Sequence, residues 1–246
     1  MVSINPCTDA ILVQVAEKKD ISALSAWSSD PASSSMDVTL ARRYPSTAGT
    51  AEELIALHPR LVIGGTFTSP ATRNALARQG IPLVELPIAR TVEESEAQIR
   101  QIAALTHTHR QGEALIARIE AAITASKSTQ KSSPSAVIWQ SGGIVAGEGT
   151  LIADLLHRTG FSSYSAAKGL KQADYLPLER VLADPPQVIL AAGNPAANED
   201  RLLAHPALAR LPNTRRERLD SKHLWCGGPT IIAAATRLAE IRRTLP

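Results

Sequence analysis

The chain has 246 residues, of which 44% are hydrophobic and 20% charged, and its 26 Lys and Arg against 23 Asp and Glu give a formal charge of +3. That length suits one large domain or two lobes of roughly 100–120 residues, each able to bury its own core. The composition excludes a disordered chain, no run of about 18 apolar residues could span a bilayer, and no basic tract with interleaved aromatics marks a nucleic-acid binder.

Met1 is followed by VSIN, with no basic region, apolar run or cleavage site of an export leader. Short apolar runs at Val2–Ile4, Leu61–Ile63, Leu83–Leu86, Val137–Trp139 and Val188–Leu190 read as buried parallel strands, mostly alternating with helical stretches. That alternation is the α/β pattern. After the first strand, TDAILVQVAEKK reads as a helix capped by Thr8 or Asp9, and SPATRNALARQG as a helix with Ser69 as cap, Pro70 in its first turn and Gly80 as its stop. From Thr91 to about Ser126, Ile99, Ile102, Ala103, Leu115, Ile116, Ile119, Ala122 and Ile123 recur at helical spacing, interrupted near His107–Gly112. A polar loop, KSTQKSSPS, then leads to the strand VIW, and EGTLIADLLHRTG gives a further helix stopped by Gly160. The expected organisation is an N-terminal lobe over 1–90, a connecting helix and loop over 91–133, and a C-terminal lobe over 134–246. The basic surplus near Arg215-Arg216 and Arg242-Arg243 reads as solvated helix or loop face.

One unit is written twice. EELIALHPRLVIGG at 52–65 and ERVLADPPQVILAAG at 179–193 align at an offset of 127, pairing Glu52 with Glu179, Leu54 with Val181 and Pro59 with Pro186. Each copy reads as a short helix, a Pro-containing turn and a buried strand ending in small residues, and ligands in open α/β sheets sit at the carboxyl ends of strands.

With only three Trp, three Tyr and two Phe, ring placement becomes a signal. Trp27, Phe67, Trp139, Tyr175 and Trp225 fall at expected strand ends or in loops, where large rings cost exposed apolar surface unless a ligand or partner covers them. The glycine-rich stretches SGGIVAGEG and CGGP lack the spacing of a phosphate loop. Cys7 and Cys226 lie in loops expected at a cleft; a disulfide and ligand contacts are both compatible with them, and free thiols are the favoured reading. No catalytic or metal motif is present: there is no GxSxG, HExxH or CxxC, and His107 and His109 in HTHR read as exposed linker, since two ligands alone rarely hold zinc.

VSINPCTDAI, TAEELIALHPRLVIGG, PLVELPIARTVEESEAQIRQIAAL and LPLERVLADPPQVILAAG together resemble the periplasmic solute-binding proteins of ABC importers for metal chelates: vitamin B12, ferric siderophores and haem. The resemblance covers essentially the whole chain. It implies an α/β fold of two Rossmann-like lobes with central parallel sheets, joined by one long backbone helix, with little closure and the ligand cleft between the lobes. It further implies that Glu52 and Glu179 dock on the dimeric permease with its ATPase subunits, and that Trp27 and Tyr175 face the ligand. Phe67 lies near Gly65, where the vitamin B12 binder has a tryptophan, and Arg43, with Arg42, is the candidate cation for an anionic siderophore. Cys7, Trp139 and Trp225 complete the expected ligand contacts. On this reading the protein is a free monomer without a cofactor of its own, its cargo carries cobalt or iron, and it is periplasmic or lipid-anchored, the leader having been removed from this sequence. Two other classes compete. One is a chelatase-like enzyme on a two-lobe scaffold, with Glu148 or Asp174 as acid or base; the other is a bare zinc or manganese binder, which needs three or four converging His or carboxylate ligands.

Overall fold

In a computed structural model that describes residues 1–193 and 204–245, the alternating pattern resolves into two units, each built on parallel strands. The first comprises Met1–Ala89, Glu93–Ile119 and Trp225–Thr230; the second comprises Arg90–Val92, Glu120–Leu224 and Ile231–Pro246. Residues 91–133, expected as a separate connector, thus divide between the units.

In the first unit the chain runs through β1 (Val2–Ser3), α1 (Pro6–Val15), β2 (Leu24–Ser25), α2 (Val38–Ala41), β3 (Ser46–Thr47), α3 (Ala51–Ala56), β4 (Val62–Gly65), α4 (Pro70–Arg78) and β5 (Leu83–Leu86). β4 lies between β1 and β5, β2 pairs with β3, and a parallel bridge from Val2 to Ala23 links the two sets. Val2, Ala23, Leu54, Val62 and Leu76 fill the core between sheet and helices. α1 starts earlier than its sequence suggests. Asn5, not Thr8 or Asp9, is the cap: its Oδ1 accepts from the amides of Cys7 at 2.8 Å and Thr8 at 3.3 Å, and Pro6 occupies the first turn, where no amide is missed. Ser69 caps α4 as expected, and Gly80, at φ 66°, ends it.

The helical segment breaks where the sequence suggested. α5 (Val92–Leu105) ends with His107 at φ 58°, the Thr108 amide donating to Ala103 O at 2.8 Å and the His107 amide to Ala104 O at 3.2 Å. This is a Schellman end. α6 (His109–Ser126) then packs back on α5: a Cβ on Gly112 would lie 2.6 Å from Ala103 Cβ, so only glycine permits the approach, and Arg100 Nε meets Glu113 Oε1 at 3.0 Å. α6 belongs to the first unit through Ile119 and to the second from Glu120. His107 and His109 are exposed at this turn, and the described residues hold no group of three His, Cys, Asp or Glu fit for a metal ion.

The second unit contains β6 (Ser135–Gln140), α7 (Leu151–Arg158), β7 (Ser162–Ser163), α8 (Tyr164–Ala167), α9 (Leu178–Ala183), β8 (Val188–Ala192), β9 (Arg215–Arg218) and α10 (Thr230–Arg243), in the strand order β7-β6-β8-β9, all parallel. Val137, Trp139, Tyr164, Leu176, Val181 and Ile189 are among its core residues. The duplicated unit reappears element for element, α3 and β4 in the first unit answering α9 and β8 in the second. The basic pairs depart from expectation in part. Arg215-Arg216 is exposed as expected but lies on β9 rather than on a helix or loop; on α10 Arg243 is exposed, whereas Arg242 is buried, with Nε donating to Gly160 O and Nη2 to Ser132 O at 2.6 Å.

Candidate functional site in the first unit

A cavity of about 570 Å³ opens at the carboxyl ends of β1, β3 and β4. Its lining is Ile4, Asn5 and Pro6 from the first strand–helix turn; Trp27; Ala48, Gly49, Thr50, Ala51 and Glu52 before and within α3; and Gly65, Phe67, Thr68, Ser69, Ala71 and Thr72 around the start of α4. The amino ends of three helices thus border one space. Each brings the partial positive charge of its unpaired amides, softened by its own cap: Asn5, Thr50 and Ser69 accept amide hydrogen bonds within their first turns. Two rings stand over this polar floor, Trp27 at 59% exposure and Phe67 at 84%. A polar base with exposed apolar walls suits a large ligand that is flat or amphipathic.

Local chemistry fixes these walls. Trp27 rides on a 3-10 turn, Ala26–Ser29, and its amide donates to Ser25 Oγ at 3.3 Å. The loop Ala48–Gly49 is held by Glu53, whose Oε2 accepts from Thr47 Oγ1 at 2.6 Å and from the Ala48 amide at 2.7 Å; the Thr47 hydroxyl and then that amide hold the carboxyl below its ordinary range. Glu52, its neighbour, is exposed on the cavity lining, and its carboxylate neither hydrogen-bonds nor ion-pairs with any described residue. Gly65 fits closely under Asn5, since a Cβ there would lie 2.7 Å from Asn5 Nδ2 and that side chain would have to shift.

Of the expected site residues, Trp27, Phe67 and Glu52 come together here. Cys7 does not contribute a thiol: it is disulfide-bonded to Cys226, with the Cα atoms 4.9 Å apart, which overturns the reading as free thiols. Trp225 is 43% exposed and Arg43 is exposed, but neither lines the cavity, and Arg42 Nη2 is turned to Ser29 O at 3.2 Å.

In the second unit Trp139 is corrected from ligand contact to core. It is 0% exposed, and its indole Nε1 donates to Leu176 O at 3.2 Å. The reason is the glycine-rich loop, which folds back over the end of β6: the amide of Gln140 donates to Ile144 O, that of Val145 to Asp174 O and that of Leu176 to Gly143 O. Gly147 is obligatory there, because a Cβ would lie 2.4 Å from the Leu170 and Lys171 carbonyl oxygens. The fold-back leaves Ile144 and Tyr175 exposed and paired across an antiparallel bridge. Glu179 is exposed in the first turn of α9, at the position Glu52 holds in α3, and its carboxylate likewise makes no hydrogen bond or ion pair with a described residue. Asp174 Oδ2 accepts from the Lys171 amide at 2.7 Å within its own loop, and Glu148 Oε1 lies 3.3 Å from Nε2 of His157 on α7.

This fold is shared with solved proteins. The periplasmic haem-binding protein HutB of Vibrio cholerae is 19% identical over 98% of this chain and 98% of its own, with a TM-score of 0.78. An ABC-type Fe3+-hydroxamate transport protein from Saccharomonospora viridis is 19% identical over 97% and 91%, with a TM-score of 0.72. The periplasmic vitamin B12-binding protein BtuF of Vibrio cholerae is 16% identical over 99% and 97%, with a TM-score of 0.71. No curated protein matches by sequence. The model of a family described as periplasmic binding protein matches residues 1–219, and the chain belongs to that family.

Proposed function

We propose that this protein captures a metal chelate of the cobalamin, haem or ferric-siderophore kind and delivers it to the permease of an ABC importer. The observation that carries the reading is the cavity at the carboxyl end of the first unit's strands, walled by the exposed rings of Trp27 and Phe67, in a chain of the periplasmic binding protein family. Proteins of the same fold are named for haem binding, Fe3+-hydroxamate transport and vitamin B12 binding, which narrows the candidates to test. On this reading the cargo brings its own metal and the protein needs neither a resident cofactor nor a catalytic group; the Glu148 carboxylate lies against His157 and that of Asp174 accepts from the Lys171 amide.

The Cys7–Cys226 disulfide supports a home in an oxidising compartment such as the periplasm, and no described helix is long and apolar enough to cross a membrane. Glu52 and Glu179, at equivalent positions of the duplicated unit and with carboxylates that engage no described residue, are the proposed contacts to the two halves of a permease dimer carrying ATPase subunits, Glu52 from the edge of the cavity it also lines, with the binding protein acting as a monomer.

The test is titration with cyanocobalamin, haemin and a ferric hydroxamate, followed by tryptophan fluorescence. Saturable quenching by one of them, weakened by Trp27→Ala, is expected. A protein that answers none of the three does not have this function.

A further inference from the structure

A carboxyl that lines no part of the cavity holds the turn that carries Trp27. Asp9 on α1 is 0% exposed. Its Oδ2 accepts from Ser28 Oγ at 2.6 Å and from the Ser25 amide at 3.0 Å, while Ser25 Oγ accepts from the Trp27 amide. One carboxylate oxygen therefore grips the 3-10 turn at its cap and within it, before and after Trp27 in sequence. The other, Oδ1, has no hydrogen-bond partner among the described residues; the nearby Ser3 hydroxyl is paired with Thr8 Oγ1 at 2.6 Å.

We propose that Asp9 is a positioning residue whose ionisation sets how firmly the Trp27 wall of the cavity is held, so that cargo affinity follows the pH of the surroundings. The consequence for cargo rests on the chelate-binding reading; the link between Asp9 and Trp27 does not. An ionised carboxylate accepts hydrogen bonds about twice as strong as a neutral acid does. It therefore holds the turn more tightly, yet a buried charge with one bare oxygen is costly. The two demands nearly balance: burial drives the carboxyl up to about 7, against the opposing pull of the Ser28 hydroxyl and the Ser25 amide. Such a group changes state under ordinary conditions.

The elements packed on Asp9 offer few rivals. β1 presents Ser3, β2 presents Ser25, β4 carries no charged residue, and on the segment Trp225–Thr230 Cys226 is closed in a disulfide. Around the turn, Arg42 binds Ser29 O, and exposed Asp30 is held by the Ser33 hydroxyl and the Ala32 amide. From α6, Arg118 meets α1 at Gln14 Oε1, at 3.3 Å.

The test needs no cargo at first. In protein labelled with nitrogen-15 at its three tryptophans, assigned by Trp27→Phe and Trp225→Phe, the Trp27 indole resonance should shift between about pH 5 and 9 with a midpoint near 7, while buried Trp139 stays still. Asp9→Asn should abolish the shift. Ser28→Ala, which keeps the carboxyl and removes a hydroxyl that favours its ionised form, should move the midpoint to higher pH; it decides alone if the Asn variant does not fold. A Trp27 titration absent from the native protein, unchanged in Asp9→Asn, or unmoved in Ser28→Ala overturns the proposal. With whichever of cyanocobalamin, haemin or the ferric hydroxamate binds, affinity should fall roughly five- to tenfold from about pH 8 to 6 in the native protein and stay level in Asp9→Asn. Failure of all three chelates to bind removes the transport reading and leaves the Asp9–Trp27 coupling standing; binding that ignores pH removes the regulatory consequence and leaves the transport reading intact.

Discussion

Cys7 and Cys226 are 219 residues apart in sequence and joined by a disulfide within the first unit. The bond fastens the start of α1, beside the cavity, to Trp225–Thr230, a stretch that the Gly228 amide also pins by donating to Ser95 Oγ at 2.7 Å. Closing so long a loop removes denatured-state entropy worth up to about 5 kcal/mol. Reduction, or Cys7→Ser with Cys226→Ser, should therefore cost about 2–5 kcal/mol in urea unfolding. An unfolding midpoint indifferent to reductant would show that the bond is not formed in the native protein.

Two tryptophans should part company under mutation. Trp139→Ala empties a closed core and is expected to cost about 3–5 kcal/mol in stability. Trp27→Ala, on an exposed ring, should leave stability within about 0.5 kcal/mol while weakening chelate binding at least tenfold. Equilibrium unfolding and titration on the same preparations separate the effects; equal losses of stability would place Trp27 in the core rather than at the site.

The misreading of Trp139 shows where the sequence stops being legible. Its position at a strand end suggested exposure, but burial comes from the loop after it, whose path depends on Gly147 approaching the carbonyls of Leu170 and Lys171. That contact is made between segments with no shared pattern. β2, β3 and β7 are two residues each, too short to show periodicity, and β9 reads RRER, a charge run at the edge of its sheet. The longer elements were legible because their own burial wrote the pattern: Ile99, Ile102, Leu115, Ile116 and Ile119, expected on one apolar stripe, are all buried. At the site, exposed rings were visible in the sequence, whereas Glu53 and Asp9 were hidden, since each works through hydrogen bonds to residues in other elements.

Gly65→Ala tests how tightly the cavity floor is built. The new methyl would meet Asn5 Nδ2 at 2.7 Å, so Asn5 must move away from the amides it caps. Loss of that cap predicts about 0.5–2 kcal/mol of destabilisation with weaker chelate binding. A crystal structure showing Asn5 unmoved would contradict this account.

Glu53 predicts a pH dependence of one sign. Its carboxyl is lowered in the folded state, so the stability it contributes is present above the ordinary value of 4.5 and is lost as the pH falls through the folded value. Glu53→Gln should unfold at lower urea than the native protein at neutral pH, and the gap should close in acid. A gap independent of pH would assign the effect to shape rather than charge.

Asp9 predicts the opposite slope. Its carboxyl is raised from 3.8 to about 7, so between those values the folded protein holds a proton that the unfolded chain has released. Stability must then fall as pH rises across that window and level off above it, the folded state having also let the proton go. The full difference corresponds to about 4 kcal/mol at most. Asp9→Asn is neutral throughout and should lack the slope, so its stability relative to native should climb from about pH 4 to 7 and then hold constant. Urea unfolding of both proteins across that range measures the difference directly; a native protein whose advantage over Asp9→Asn grows with pH would mean that the buried carboxylate is stabilised by a partner other than Ser25 and Ser28.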